Sequence, residues 1–202
     1  STNNTKVIFD KTPPADFTVG LLTPTGGNQV AGIWNLTNTG MDVIVPVAND
    51  TTLKNGTVQL YGKVGSNDFD PLGSISTILS SEINTDKTIS VTSELIEGLT
   101  GFAEGQTIYI KATMYDRPGN STEGSQSTME ILIDETPATI IPISIISNND
   151  NTTLAKVGDT VTVSFTTSEI LIDTTTMISG QSAALTGLGS NQFKAVYAMT
   201  EG

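Results

Sequence analysis

One apolar motif occurs twice in this chain. Val7-Ile8-Phe9-Asp10-Lys11-Thr12-Pro13-Pro14 is matched, 124 residues later, by Ile131-Leu132-Ile133-Asp134-Glu135-Thr136-Pro137-Ala138. A recurrence at a fixed offset is the mark of a repeated folding unit. In each copy a short apolar run ends in Asp-x-Thr-Pro. Proline cannot donate to a strand ladder, so the strand should stop there and a stiff linker begin. Reading both copies as boundaries divides the 202 residues into three parts. Residues 1–13 are the closing strand of a preceding unit with its linker, 14–134 a complete domain, and 135–202 a second domain without its last strands. From Pro137 only 66 residues remain, against about 100 for a seven-stranded sandwich. The missing strands are expected beyond Gly202 or from another chain. The polar start, Ser1 to Thr5, does not resemble a signal peptide, which fits an internal piece or a processed start.

Between the boundaries the apolar residues recur with period two, the spacing of a half-buried strand. Val43 to Val47, Thr57 to Val64 and Thr107 to Met114 are the clearest runs in the first domain. In the second of these Val58, Leu60 and Val64 share a face; in the third Ile108, Ile110, Ala112 and Met114 share one, with Lys111 and Thr113 opposite. One buried and one wetted face is the pattern of an antiparallel sandwich. Asn55-Gly56, Glu104-Gly105 and Pro118-Gly119-Asn120 supply turn residues between runs. In the second domain Ile140 to Ile146, the alternating Val161, Val163 and Phe165, and Phe193 to Ala198 read as strands, with Gly158-Asp159 as a turn. Composition agrees. Valine, isoleucine and threonine dominate the apolar stretches, and charged residues make up only 15%, so β-branched chains suited to a pleated surface outweigh helix formers.

The formal charge is −12, from 21 acidic and 9 basic residues. Such a field repels nucleic acid and anionic lipid, so neither is an expected partner. No apolar run approaches the length of a membrane span. Histidine is absent, and with it the commonest general base and imidazole ligand. Cysteine is absent too, which removes disulfides, thiolate nucleophiles and the usual zinc sites. The enzyme class left open is a two-carboxylate glycosidase, for which Asp68 and Asp70 are the nearest pair. Two residues apart on a loop, they fit turn formation better, and the chain is read as non-catalytic.

The residues resemble bacterial immunoglobulin-like repeats of large surface adhesins and secreted multidomain proteins, over nearly the whole chain. Tyr115-Asp116-Arg117-Pro118-Gly119-Asn120 looks like that family's Asp-x-x-Gly-Asn turn after the penultimate strand, and Ile133-Asp134-Glu135-Thr136-Pro137 is similar to its Asp-x-Thr-x-Pro boundary. Ser147 to Asn151 followed by Leu154 to Val161 looks like its first-to-second strand connection. The resemblance implies an all-β fold of tandem immunoglobulin-like antiparallel β-sandwiches, the terminal ones incomplete. It also implies an extracellular or cell-surface setting and a structural role as a stalk or filament segment. A non-catalytic glycan-binding or accessory module of a secreted polysaccharide-acting protein is the alternative, and a contiguous strip of exposed aromatics on one sheet face is the feature that would favour it.

Calcium is the one cofactor considered, because it takes six to eight hard oxygen ligands, often from converging loops. Asp116, Asn120, Asp134 and Glu135 are its candidate ligands at the boundary, with Asp150 as a further donor. The competing reading makes Asp116 and Asn120 a turn and Asp134 a linker cap. Trp34 is the only tryptophan and is expected to pack in or near the core. Expected partners are neighbouring repeats, a surface glycan or protein, or other copies of the chain, since Thr5 to Asp10 matches a closing strand and strand donation would complete the trailing domain.

Overall fold

The computed structural model describes residues 9–169, 171 and 174–201. It is an all-β protein in two compact units, Ser1–Thr136 and Pro137–Gly202. The division falls inside the Asp-x-Thr-Pro motif, two residues beyond the boundary read from sequence. The strand expected over Thr5 to Asp10 lies, except for Phe9 and Asp10, outside the described residues; those two form no strand, and Phe9 is exposed.

The first unit contains β1 (Leu22–Thr25), β2 (Ile33–Trp34), β3 (Gly40–Pro46), β4 (Thr57–Val64), β5 (Asp70–Thr77) and β6 (Asp86–Thr92). A single-turn helix, α1 (Ser93–Glu97), precedes β7 (Thr107–Tyr115), β8 (Ser121–Glu123) and β9 (Ile131–Ile133). One sheet runs β1-β3-β6; the other runs β2-β9-β7-β4-β5, with β8 also on β7. Every pairing between these strands is antiparallel except β2 with β9, where Ile33 lies beside Leu132 and Trp34 beside Ile133. The period-two runs fold as their pattern dictates. Leu22, Met41, Val43, Val45 and Val91 point from the first sheet into the core. Val58, Leu60, Val64, Leu72, Ile108, Ile110, Ala112, Met114, Ile131 and Ile133 meet them from the second. Trp34 is fully buried among them, so it is a core residue and not a binding platform. Asp70, expected on a loop, instead opens β5, whose register sets it opposite Gly62.

Three turns read from sequence adopt the backbone they require. Asn55, Gly105 and Gly119 all have positive φ, at 63°, 74° and 104°, a region that asparagine and glycine enter at little cost. Gly56 is needed for a different reason. A Cβ built there would lie 2.2 Å from the Tyr115 carbonyl oxygen, so only a bare backbone fits against the end of β7.

The second unit contains β10 (Ile140–Ser147), β11 (Thr160–Thr167), β12 (Met177–Ile178), β13 (Gln181–Ser182), β14 (Ala184–Gly189) and β15 (Gln192–Ala198). A four-stranded antiparallel sheet has the order β10-β11-β15-β14, and β12 and β13 form a small hairpin. Its register puts Ile143 beside Phe165, which lies beside Phe193, and Ile145 beside Val163, which lies beside Ala195. The two phenylalanine rings stack with centroids 5.4 Å apart. This apolar face has little over it: Ile143 is 62% and Ile145 65% exposed, and Ala195 is the buried hydrophobic residue among those described in this unit.

Candidate functional site

The outer face of the large sheet in the first unit carries the densest chemistry among the described residues. Strands β4 and β7 each present a Tyr-x-Lys triplet at outward positions, Tyr61-Gly62-Lys63 and Tyr109-Ile110-Lys111. Their antiparallel register sets Tyr61 opposite Lys111 and Lys63 opposite Tyr109, so rings and ammonium groups alternate along and across the strands. The Lys63 ammonium lies 5.2 Å from the centre of the Tyr109 ring, and that of Lys111 lies 5.9 Å from Tyr61. Phe69 closes over both, 4.9 Å from the Lys63 ammonium and 4.6 Å from that of Lys111. Each lysine therefore sits between two rings, in the electrostatic geometry that attracts a cation to the negative face of an aromatic system.

Local structure holds Phe69 in that position. Gly65 turns the chain out of β4 with φ 57° and donates its N–H to Thr107 at 2.8 Å. The Asn67 side-chain amide donates to the Thr100 carbonyl, also at 2.8 Å, tying the turn to the segment after α1. Lys111 further pairs with Glu123 on β8 at 2.9 Å, whereas no carboxylate of the described residues pairs with Lys63. In the sequence the two tyrosines are legible only as members of the strand runs Thr57 to Val64 and Thr107 to Met114. The signal that could have found the cluster is the repeated Tyr-x-Lys in two adjacent strands; Phe69, which completes it, comes from a turn whose direction no local pattern specifies.

The candidate calcium ligands are distributed otherwise than expected. Asp116 is 3% exposed and fully engaged: one carboxylate oxygen accepts from the backbone N–H groups of Gly119 and Asn120, and the other from the Asn120 side-chain amide, each at 2.7 Å. Asp116 and Asn120 thus form the turn that follows β7. Asp134 and Glu135 follow β9, where Gly105 donates to the Ile133 carbonyl and the Glu135 N–H donates to the Glu104 carboxylate. That is the opposite end of β7, whose nine residues span roughly 30 Å at about 3.3 Å each. The register thus does not bring Asp116 and Asn120 together with Asp134 and Glu135: they occupy opposite ends of β7. Asp150 belongs to the second unit, in the bend after β10.

Glu135 has different company. Burial, together with the charges of Glu97 and Glu104, holds its carboxyl above the ordinary glutamate range. The Trp34 indole N–H points toward it and opposes that shift, without reaching ordinary hydrogen-bond geometry. No group of three or more acidic residues arranged to hold a metal ion occurs among the described residues. At the other end of the core Lys87, 6% exposed, is paired with Glu82 at 2.9 Å. Glu82 also accepts the Leu79 N–H at 2.7 Å. Burial raises the Glu82 carboxyl, but the Leu79 and Lys87 interactions outweigh it and hold the group below its usual range.

Asp68 lies exposed in the turn and Asp70 exposed on β5. A shallow hollow of about 140 Å³ lined by Phe17, Val47, Leu53 and Met114, with Asp16 at its edge, is mostly apolar. No family model matches the chain, and no curated protein matches it.

Proposed function

We propose that this chain is a non-catalytic structural segment of an extracellular or cell-surface protein, built of successive immunoglobulin-like β-sandwich units that act as a stalk or filament. The observation that carries this reading is the parallel pairing of β2 with β9. One strand lies near the start of the first unit and the other ends it, and the Leu132 and Asp134 N–H groups donate to Gly32 and Trp34 at 2.8 Å. Pulling the ends of the unit apart draws two parallel neighbours in opposite directions along their length. Their hydrogen bonds are then loaded together and not one after another, which is how a sheet best resists extension.

The strand order supports the immunoglobulin-like part of the proposal. β1-β3-β6 faces β9-β7-β4-β5, and the final strand, β9, lies next to β7, in keeping with the two-sheet pattern of that fold. Directly after β9 comes the Thr136-Pro137 junction, whose proline restricts the connection to the next unit. Single-molecule stretching tests the reading. A discrete force peak for the first unit is expected, reduced in Asp134→Pro, which removes one of the two loaded donors; featureless extension of the native unit would overturn it.

A second reading, a glycan-binding module, is favoured by the ring-and-lysine face of the large sheet. Sugar-binding sites on flat sheets use aromatic surface for the apolar faces of pyranose rings, and three rings here gather on one outer face.

A further inference from the structure

We propose that the outer face formed by Tyr61, Lys63, Phe69, Tyr109 and Lys111 binds a carboxylate-bearing polysaccharide, a polymer of uronic acid residues. The proposal rests on the glycan-binding reading and names its ligand and contacts. Three observations converge on it.

The first is charge. The whole chain carries −12, yet the outward positions of β4, β7 and β8 hold two lysines against the single carboxylate of Glu123. Asp68 and Asp70, both exposed, flank Phe69 at the edge of this face, with Asp70 set opposite the inward position Gly62. The two ammonium groups are thus a local concentration of positive charge on an acidic protein. Its attraction to an anion is local, since the surrounding negative field is screened over about 8 Å at physiological salt.

The second is the state of Lys63. Its ammonium is fixed between Phe69 and Tyr109, and no carboxylate of the described residues pairs with it. A cation already held in place loses little further freedom when an anion arrives, which favours binding. Lys111, already paired with Glu123, can give its remaining N–H donors to hydroxyl or ring oxygens.

The third is shape. Tyr61 and Tyr109 are diagonal neighbours on adjacent strands, roughly 7–8 Å apart, on an open sheet face. A small ligand would call for a concave pocket, and a peptide would add at a strand edge. An extended polymer with apolar ring faces and repeated carboxylates matches a sheet face on which Phe69 stands over the two ammonium groups and Tyr61 and Tyr109 lie beneath them. Single-stranded nucleic acid also stacks on rings, but its affinity comes from many phosphate contacts, and two lysines on a chain of this net charge supply few.

The test is calorimetric titration of the whole chain with a hexamer of galacturonic acid, with cellohexaose and a ten-nucleotide oligothymidylate as comparison probes. Binding of the uronate hexamer alone is expected, weakened at least about tenfold by Lys63→Met, which keeps the apolar stem, and by Phe69→Ala, with thermal unfolding of both variants close to native. Raising salt from about 50 to about 500 mM should weaken it several-fold. Cellohexaose binding that survives Lys63→Met but not Phe69→Ala would overturn the acidic ligand and leave the glycan-binding reading standing. Failure of both sugars to bind would remove the two together, and so would preferential binding of the oligonucleotide.

Discussion

The two units use the same strand chemistry and reach opposite results in burial. In the first, β3, β4, β6, β7 and β9 place their apolar faces between two sheets, and Val43, Leu60, Ile110 and Ile131 are essentially inaccessible. In the second, β11 and β15 alternate too and β10 is rich in isoleucine, yet Ile143 and Ile145 on β10 are more than half exposed. A strand's pattern marks which face is apolar; only a second layer over that face removes it from water, and that removal is where the hydrophobic contribution arises. Isoleucines of equal intrinsic worth therefore matter unequally.

The contrast is most directly broken by truncating one isoleucine in each unit. Ile110→Ala should cost about 3 kcal/mol, the middle of the range for a fully buried isoleucine, while Ile145→Ala should cost about 0.5 kcal/mol or less, as expected for an exposed position. Urea unfolding of both variants measures this, and amide exchange should be slower along β7 than along β10. An Ile145→Ala loss equal to that of Ile110→Ala would mean the second face is covered in solution.

Gly56→Ala sharpens the comparison within the first unit, where close packing leaves no room for a Cβ against the Tyr115 carbonyl. A loss of about 2 kcal/mol, typical of forced overpacking, is expected in the same unfolding measurement. No described glycine of the second unit meets such an obstacle from a backbone atom.

Glu82→Ala probes the charged end of the same core. It leaves the Lys87 ammonium buried without its anion, and a cost of about 2 kcal/mol at neutral pH is expected, between the surface and buried limits for ion pairs. Because the Glu82 carboxyl titrates below its usual range in the folded state, its contribution is present above the unfolded value and disappears as pH falls through the folded one. Native and variant melting temperatures should accordingly converge in acid.

Glu135→Gln is the smallest effect and has the opposite sign. Burial and the neighbouring Glu97 and Glu104 charges raise the Glu135 carboxyl when folded, so ionising it costs the folded state stability as pH rises through that raised value. Neutralisation should stabilise the first unit at pH 7 by no more than about 0.5 kcal/mol after solvent screening. Below the ordinary carboxylate range the difference should vanish, which melting curves at about pH 3 and 7 would reveal.

Much of the strand framework was legible because period two is a local property. The runs at Thr57 to Val64, Thr107 to Met114 and Ile140 to Ile146 lie within β4, β7 and β10. β1, β2, β5, β6 and β8, and β12 to β14 of the second unit, show no such run. β2 is two residues long, and β5 carries Pro71 and Gly73 with a register irregularity opposite β4, so neither shows sustained alternation. The candidate site was legible only in fragments. Tyr61, Lys63, Tyr109 and Lys111 fall in the two strand runs, but nothing in those runs brings Phe69 to them, and the calcium candidates share a chemistry although β7 holds two of them a strand's length from two others.

What the sequence determined by itself is local: which residues alternate, where glycine and asparagine must turn the chain, where Pro137 interrupts it, and that histidine and cysteine chemistry is absent. What only the tertiary structure decided is register and layering. Register set each tyrosine against a lysine and brought Phe69 over both ammonium groups; layering buried Trp34 and Ile110 while leaving Ile145 in water. The physical reason is that side-chain alternation follows from the backbone of one strand, whereas pairing and burial depend on partners far away in the chain, which no short window of residues contains.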